Sequence, residues 1–176
     1  MTTREATLAA WLEQEKQVRA KLAAPGIAGM EALKAGTGME FLQRIWDGEL
    51  PSLYMGHTLD FVPVEGEPGR IVFQGTPGVQ HYNPLGSVHG GYFCTLLDSA
   101  LGCAVHSMLP KGVGYTTLEL KVNLIRAMTA KTGPVRAEGK IIQIGKQVGV
   151  AEANIVDVDG KIYAHATTTC LIFPLP

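Results

Sequence analysis

The pattern of apolar positions divides the chain into a helical beginning and a β-rich remainder that contains one long helix. Apolar residues recur every three or four positions from Phe93 to Met108, which predicts a helix from His89 to about Ser107. This helix is apolar on nearly all sides, as is typical of a helix buried in a core. Shorter helices are predicted over residues 3–24 and 38–46, with a helical turn around residues 30–34.

Alternating apolar and polar positions predict six strands, two before the long helix and four after it. They cover residues 59–64, 70–75, 116–126, 135–144, 147–157 and 161–173. In the third strand the alternation predicts that one face carries Leu118, Leu120, Val122 and Leu124. Asp159-Gly160 predicts a tight hairpin, so the sheet should be mainly antiparallel. One helix can cover six strands only if the sheet curls around it.

The composition argues against several classes of function but does not identify a particular one. The 176 residues include 15 Lys and Arg against 16 Asp and Glu, a balance that does not favour nucleic acid as a partner. No apolar run is long enough for a membrane span, and no apolar signal-peptide core follows the N-terminus, so we expect a cytoplasmic protein without a membrane partner. The three cysteines form no CxxC pair, and neither they nor the histidines have the spacing of a metal site.

Asp98 is the only charged residue between His89 and Pro110, in the middle of the predicted buried helix. A carboxylate there is costly unless it is paired or used in a reaction. Small and polar residues recur beside it at helical spacing and form one seam, with Gly91 and Thr95 among them. At the start of the helix, Gly90 leaves a backbone N–H bare at the positive end of the helix dipole. Such an amide can bind a polarised carbonyl or an oxyanion, so the helix is interpreted as half of a site for acyl chemistry.

The spacing of these two groups predicts an oligomer. Gly90 and Asp98 are eight residues apart, or about 12 Å along a helix. One small carbonyl cannot contact both groups of the same chain. If both act on one atom, a second copy of the chain must supply one of them, so we expect a homodimer with shared sites.

The loop and helix together resemble a known family. Asn83, Gly86, His89-Gly90-Gly91 and Asp98, at this spacing, are similar to the phenylacetate-degradation (PaaI-type) acyl-CoA thioesterases, as is the strand Thr116–Asn123. The resemblance implies an α+β hotdog fold, in which a six-stranded antiparallel sheet curls around one long helix. It implies an enzyme that hydrolyses an acyl- or aryl-CoA thioester without a metal or organic cofactor. It also suggests a tetramer built from two dimers.

The resemblance assigns a role to each matching residue. Asp98 matches the catalytic carboxylate, a general base or nucleophile, and Gly90 matches the glycine whose N–H polarises the thioester carbonyl. Asn83 matches the asparagine that holds the thioester or the water, and His89 is expected to orient the loop. Thr117 matches a Ser or Thr near the carboxylate, although strand alternation favours Thr116.

Further residues of the loop, the seam and the following strand are expected to contact the substrate, and these are His81, Gly91, Thr95 and Thr116. The resemblance begins near Leu59, so residues 57–176 are predicted to form the thioesterase domain and residues 1–56 an N-terminal helical extension. Two alternatives stay open at this point. One is an acyl-CoA-binding or sensing module without catalysis, and the other is a hotdog dehydratase or hydratase.

Overall fold

The computed structural model describes residues 2–176. Its long helix and six main strands follow the predicted order, whereas two short strands and one short helix before them are not predicted by the sequence pattern. The N-terminal part contains α1 (Thr3–Lys21), β1 (Ala23–Pro25), α2 (Gly29–Lys34), α3 (Gly38–Trp46), β2 (Pro51–Ser52) and α4 (Tyr54–Leu59). The remainder contains β3 (Phe61–Glu67), β4 (Arg70–Gly75), α5 (Gly90–Ser107), β5 (Val113–Leu124), β6 (Val135–Ile144), β7 (Val148–Asp157) and β8 (Ile162–Pro174). The prediction that the first helix reaches residue 24 is wrong, because the chain enters β1 at Ala23 and pairs with β2.

The main sheet and α5 form the predicted α+β architecture. The six strands lie in the order β3-β4-β6-β7-β8-β5, and every neighbouring pair is antiparallel. α5 packs against β4, β5, β6, β7 and β8, so the sheet wraps around it. Eleven of its 18 residues are buried, which agrees with its nearly uniform apolar character. Gly139 of β6 allows the closest approach, because a Cβ there would lie 2.3 Å from the Ala100 carbonyl oxygen.

β5 contains an irregularity that contradicts the predicted alternation. Its pairing with β8 shifts between Thr117 and Glu119, where a bulge leaves Leu118 without a partner residue. Leu118 is 61% exposed instead of facing the core with Leu120 and Val122. A bulge inserts one extra residue into a strand and so reverses the facing of the residues beyond it. Leu124, at the end of the strand, is also exposed.

α3 docks the N-terminal extension, residues 2–56 as described, directly onto the end of α5. A Cβ at Gly38 would lie 1.7 Å from the carbonyl oxygen of His106, so only glycine permits this approach. The Gly38 N–H donates to the Leu109 carbonyl at 2.9 Å, and the ring of Phe41 lies 5.4 Å from that of His106. The extension is therefore packed against the same helix that carries Asp98.

α1 has no buried residue and is held by polar contacts as well as by Val18, which packs on buried valines of β3 and β4. The guanidinium of Arg136, on β6, donates to Gln14 of α1 at 2.7 Å and to Gln74 and Glu65 at 2.8 Å each. It also lies 4.3 Å from the ring centroid of Trp11, a cation–π contact. This network and the Val18 contact explain how a helix with only a loose apolar face stays attached to the sheet.

Candidate active site

The first turn of α5 is capped by its preceding histidine. His89 has extended backbone angles, φ −63° and ψ 140°, and its Nδ1 accepts the Gly91 N–H at 2.9 Å. Capping satisfies one of the amides that a helix start leaves without an intrahelical partner. The Gly90 N–H, by contrast, has no acceptor among residues 2–176. The helix start thus presents the Gly90 amide at the positive end of its dipole.

Asp98 lies two turns further along α5, half-buried on the seam. Its Oδ1 accepts a hydrogen bond of 3.0 Å from the hydroxyl of Thr117. Within residues 2–176 the carboxylate has no ion pair, and Oδ2 has no hydrogen-bond partner. One carboxylate oxygen is therefore oriented by β5, and the other is free to accept a proton from water.

The β5 bulge explains why Thr117, and not Thr116, reaches Asp98. Tyr115 and Thr117 face α5 before the bulge, and Leu120 and Val122 face it afterwards. Thr116 is exposed and pairs with Leu171 on β8. Strand alternation counted back from Leu118 therefore favours the wrong threonine as the neighbour of Asp98.

Asn83 organises the loop that leads into α5. Its Oδ1 accepts the backbone N–H groups of Leu85 at 2.9 Å and Ser87 at 3.3 Å, and its Nδ2 donates to Ser87 Oγ at 3.1 Å. An asparagine amide has two N–H hydrogens, so one remains available for a ligand. Gly86 has a φ of 84°, a conformation that glycine adopts without strain.

The residues expected to contact the substrate lie in different environments. His81 is buried, with its ring stacked 4.4 Å from that of Tyr92 and its Nδ1 accepting the Gly78 N–H. Burial lowers the pKa of His81. Thr95 is half-buried, and its hydroxyl donates to the Gly91 carbonyl at 2.9 Å, while Gly91 itself is exposed. Gly91 and Thr95 therefore lie on the seam of Asp98, whereas His81 supports the loop from beneath.

Two residues beside Asp98 have no counterpart in the sequence predictions. Cys103 follows it by little more than one turn, and burial, with the nearby charge of Asp98, raises the pKa of the Cys103 thiol to about 12. Tyr115 precedes Thr117 by two positions, and burial raises its pKa well above the usual value. Tyr115 and Thr117 share the helix-facing side of β5 with Leu120 only because of the bulge, so alternation counted back from Leu118 does not indicate Tyr115.

The described residues hold neither a possible metal-binding cluster nor a helix that could span a membrane. Within residues 2–176 no group of three or more His, Cys, Asp or Glu side chains could hold a metal ion. Among the described helices, none is both long and apolar enough to cross a membrane.

Known proteins resemble this chain in sequence and in fold. A profile of the thioesterase superfamily matches residues 85–164, which include Gly90, Asp98 and Thr117. A candidate esterase of Saccharolobus solfataricus is 33% identical over 109 residues, which cover 61% of this chain and 75% of the relative. The chain belongs to the thioesterase superfamily. A candidate esterase of Halobacterium salinarum is 41% identical over 73 residues, but the match spans 40% of this chain and less than half (46%) of that relative.

A solved structure shows that the likeness of this thioesterase-superfamily chain extends to most of its fold. A candidate thioesterase of Ralstonia eutropha, described as related to phenylacetic acid degradation, is 27% identical with a TM-score of 0.67. The likeness covers 73% of this chain and 97% of that one. The predicted hotdog fold and the PaaI-type resemblance are thereby confirmed. The predicted boundary between residues 56 and 57 falls inside α4 and stays a prediction.

Proposed function

We propose that this chain hydrolyses the thioester bond of an acyl- or aryl-CoA, with Asp98 and the Gly90 amide as its catalytic groups. The observation that carries the proposal is the hydrogen bonding of the Asp98 carboxylate. One oxygen is held by Thr117 and the other is unpaired, on the helix whose first amide is unpaired as well. Membership of the thioesterase superfamily supports the same reaction class.

In the proposed reaction, water attacks the thioester carbonyl carbon while Asp98 accepts a proton from it. The carbonyl oxygen becomes an oxyanion, and the Gly90 N–H donates a hydrogen bond to it. The C–S bond then breaks, and the thiolate of coenzyme A leaves and takes up a proton. Direct attack by Asp98, followed by hydrolysis of the resulting anhydride, uses the same two groups. In neither route does a metal or organic cofactor take part.

Both catalytic groups reach one carbonyl only if two chains share the site, because they lie about 12 Å apart along α5. β5 offers the surface for such a dimer. Its one side pairs with β8, and its other side pairs with no strand among residues 2–176. Long free edges are usually covered in native proteins, and exposed Leu118 and Leu124 favour coverage here. We propose a dimer with two shared sites, and a dimer of dimers as the larger assembly.

The surrounding residues would complete the site. Asn83 would use its remaining N–H to hold the thioester or the water. His89 would accept the Gly91 N–H and so leave the Gly90 N–H as the free amide at the helix start. Gly91, Thr95 and Thr116 would contact the substrate, and His81 would contact it or support the loop. The cytoplasmic location expected from the sequence stays a prediction.

The test is release of coenzyme A thiol from a panel of alkyl and aryl thioesters by the wild type and by Asp98→Asn. Asparagine keeps the size of the side chain and an acceptor for Thr117 but cannot take a proton. We expect a loss of about 10²- to 10⁴-fold in kcat, the usual range for a general base. Asp47→Asn, at the exposed end of α3, is the matched control and should retain wild-type activity.

Other results would point to other functions. Tight binding of the thioesters by the wild type without thiol release would indicate a binding module. Addition of water to an enoyl-CoA would indicate a hydratase. The structure gives that reading less support, because Thr117, and no histidine, is hydrogen-bonded to Asp98 among the described residues. Equal turnover by Asp98→Asn and the wild type would overturn the proposed mechanism.

A further inference from the structure

A cavity of about 260 Å³ lies between the N-terminal extension and the end of α5. Residues of the extension, Ala28, Phe41 and Leu53 among them, form one wall. Cys103 and His106 of α5 and Tyr115 of β5 belong to the opposite wall. These two walls come from parts of the chain about 50 or more residues apart, and Pro63, Ile71 and Phe73 of β3 and β4 line the space as well.

The lining of this cavity suits an uncharged, apolar group. No Asp, Glu, Lys or Arg contributes to it. His106 lies between Phe41 and Tyr115, with ring centroids 5.4 Å away on each side. Burial lowers the pKa of His106 to about 4, so the ring is neutral near pH 7. A charged ligand group would find no partner here, and its desolvation would oppose binding.

The cavity begins about one helical turn from Asp98 along α5 and two residues from Thr117 along β5. Gly102 follows Asp98 by four residues, or about 6 Å of helix. Tyr115 precedes Thr117 by two residues, or about 7 Å of strand, and faces the same side. The Tyr115 hydroxyl packs on Gly102, only 2.7 Å from where a Cβ would be. The end of the cavity that Tyr115 lines is therefore its nearest part to Asp98, about one helical turn away.

We propose that this cavity holds the acyl chain of the thioester substrate, and that the N-terminal extension sets the chain length that the enzyme accepts. The inference rests on the proposed function, because a thioester carbonyl at Asp98 places its acyl chain within reach of Tyr115. The volume lies just below the range of about 300–1,000 Å³ typical of small-molecule pockets. The accepted acyl group is therefore of short or medium length.

The first experiment fills the cavity from the extension. Ala28→Trp adds a large side chain to the wall formed by the N-terminal extension, far from Asp98 in the sequence. The ratio of kcat/KM for octanoyl-CoA to that for acetyl-CoA should fall about tenfold or more, since single methylenes already change such ratios measurably. Ala10→Trp, on the exposed surface of α1, adds the same side chain outside the cavity and should leave the ratio unchanged. An unchanged ratio in folded Ala28→Trp would overturn the inference.

A second variant acts in the opposite direction. Phe41→Ala enlarges the cavity and should move the preferred length upward across a series from acetyl-CoA to dodecanoyl-CoA. If Ala28→Trp does not fold, this shift decides the matter, and an unchanged preference would count against the cavity as the acyl site.

A binding measurement separates this inference from the proposed reaction. Calorimetry with S-octyl-coenzyme A, a thioether that cannot be hydrolysed, reports occupation of the cavity without catalysis. Affinity lost in Ala28→Trp but kept in Ala10→Trp supports the acyl site even if no thioester is hydrolysed. Turnover with normal length preference in both variants would leave the proposed function intact and reject the acyl site.

Discussion

The hydroxyl of Thr117 donates a hydrogen bond of 3.0 Å to the carboxylate of Asp98 and so joins the edge strand to the central helix. A hydroxyl that donates to Oδ1 fixes the plane of the carboxylate and aims its unpaired Oδ2. Hydrogen bonds to charged groups contribute about 1.5–3 kcal/mol, and tenfold in rate corresponds to about 1.4 kcal/mol. Thr117 is thus a positioning residue in the proposed mechanism.

Thr117→Val removes this hydroxyl while keeping the branched shape of the side chain. We expect kcat to fall about tenfold or more, with a smaller change in KM, because the base loses its orientation. Thr117→Ser restores the hydroxyl and should recover most of the rate, which a purely structural role would not predict. Thr58→Val, on the exposed surface of α4, makes the same exchange outside the site and should leave kcat unchanged. Steady-state kinetics on the best substrate of the panel measures all three.

The Gly90 amide can be removed without disturbing the helix. Gly90 is the first residue of α5, where proline is tolerated, and His89 already has the extended angles that precede a proline. Gly90→Pro should therefore fold and lose about 10²- to 10³-fold in kcat, the cost of one oxyanion donor.

Gly90→Ala is the control for Gly90→Pro, because it adds a carbon but keeps the N–H. Its Cβ would lie 3.1 Å from Leu124 Cδ1, a contact that a small shift of this exposed side chain relieves. Its kcat should stay closer to that of the wild type than to that of Gly90→Pro. Equal losses in the two variants, with unchanged circular dichroism, would argue against the amide as a donor.

Shared sites predict complementation between two inactive variants. Gly90→Pro and Asp98→Asn, mixed after dissociation and reassociation, should form hybrids that contain one intact site. With random exchange, half of the dimers are hybrids with one of two sites restored, so activity should return to about one quarter of the wild type. Native mass spectrometry verifies the exchange. Hybrid dimers without recovered activity would show that each site lies within one chain.

Burial of His106 predicts a dependence of stability on pH. Its pKa is lowered to about 4 in the folded chain, whereas an unfolded histidine titrates near 6.5. Between these values the unfolded chain binds the proton and the folded chain does not, so acid favours unfolding. The free energy of unfolding should fall by about 3 kcal/mol from pH 6.5 to pH 4, and this contribution is complete above pH 6.5.

Urea unfolding between pH 4 and pH 7.5 measures this effect. His106→Phe removes the titration and keeps an aromatic ring between Phe41 and Tyr115. Buried His81, whose pKa is also lowered, contributes to both proteins, so the comparison isolates His106. Identical pH profiles for the wild type and His106→Phe would contradict the prediction.

Most of the fold follows from local sequence patterns. The three-to-four spacing from Phe93 to Met108 predicts α5 to within one residue at each end, and the run over residues 135–144 predicts β6 without error. These elements obey one period over their whole length. Periodicity does not predict the pair of β1 and β2, because three and two residues are too few to show a period.

The details of the candidate site depend on features that periodicity does not describe. The bulge at Leu118 breaks the alternation of β5, so counting along the strand favours Thr116, and only the three-dimensional register shows that Thr117 meets Asp98. The cavity was also beyond prediction. Its walls meet through contacts such as Phe41 with His106, which are separated by 65 positions in the chain.

The proposed reacting residues and one wall of the cavity lie in different segments of the polypeptide. Gly90, Asp98 and Thr117 all lie within residues 90–117, whereas one entire wall of the cavity comes from residues 26–53. Substitutions upstream of α4 can therefore retune which molecules are admitted without touching the reacting atoms. A library of variants confined to that upstream segment should yield enzymes with altered substrate selectivity and unaltered catalytic residues.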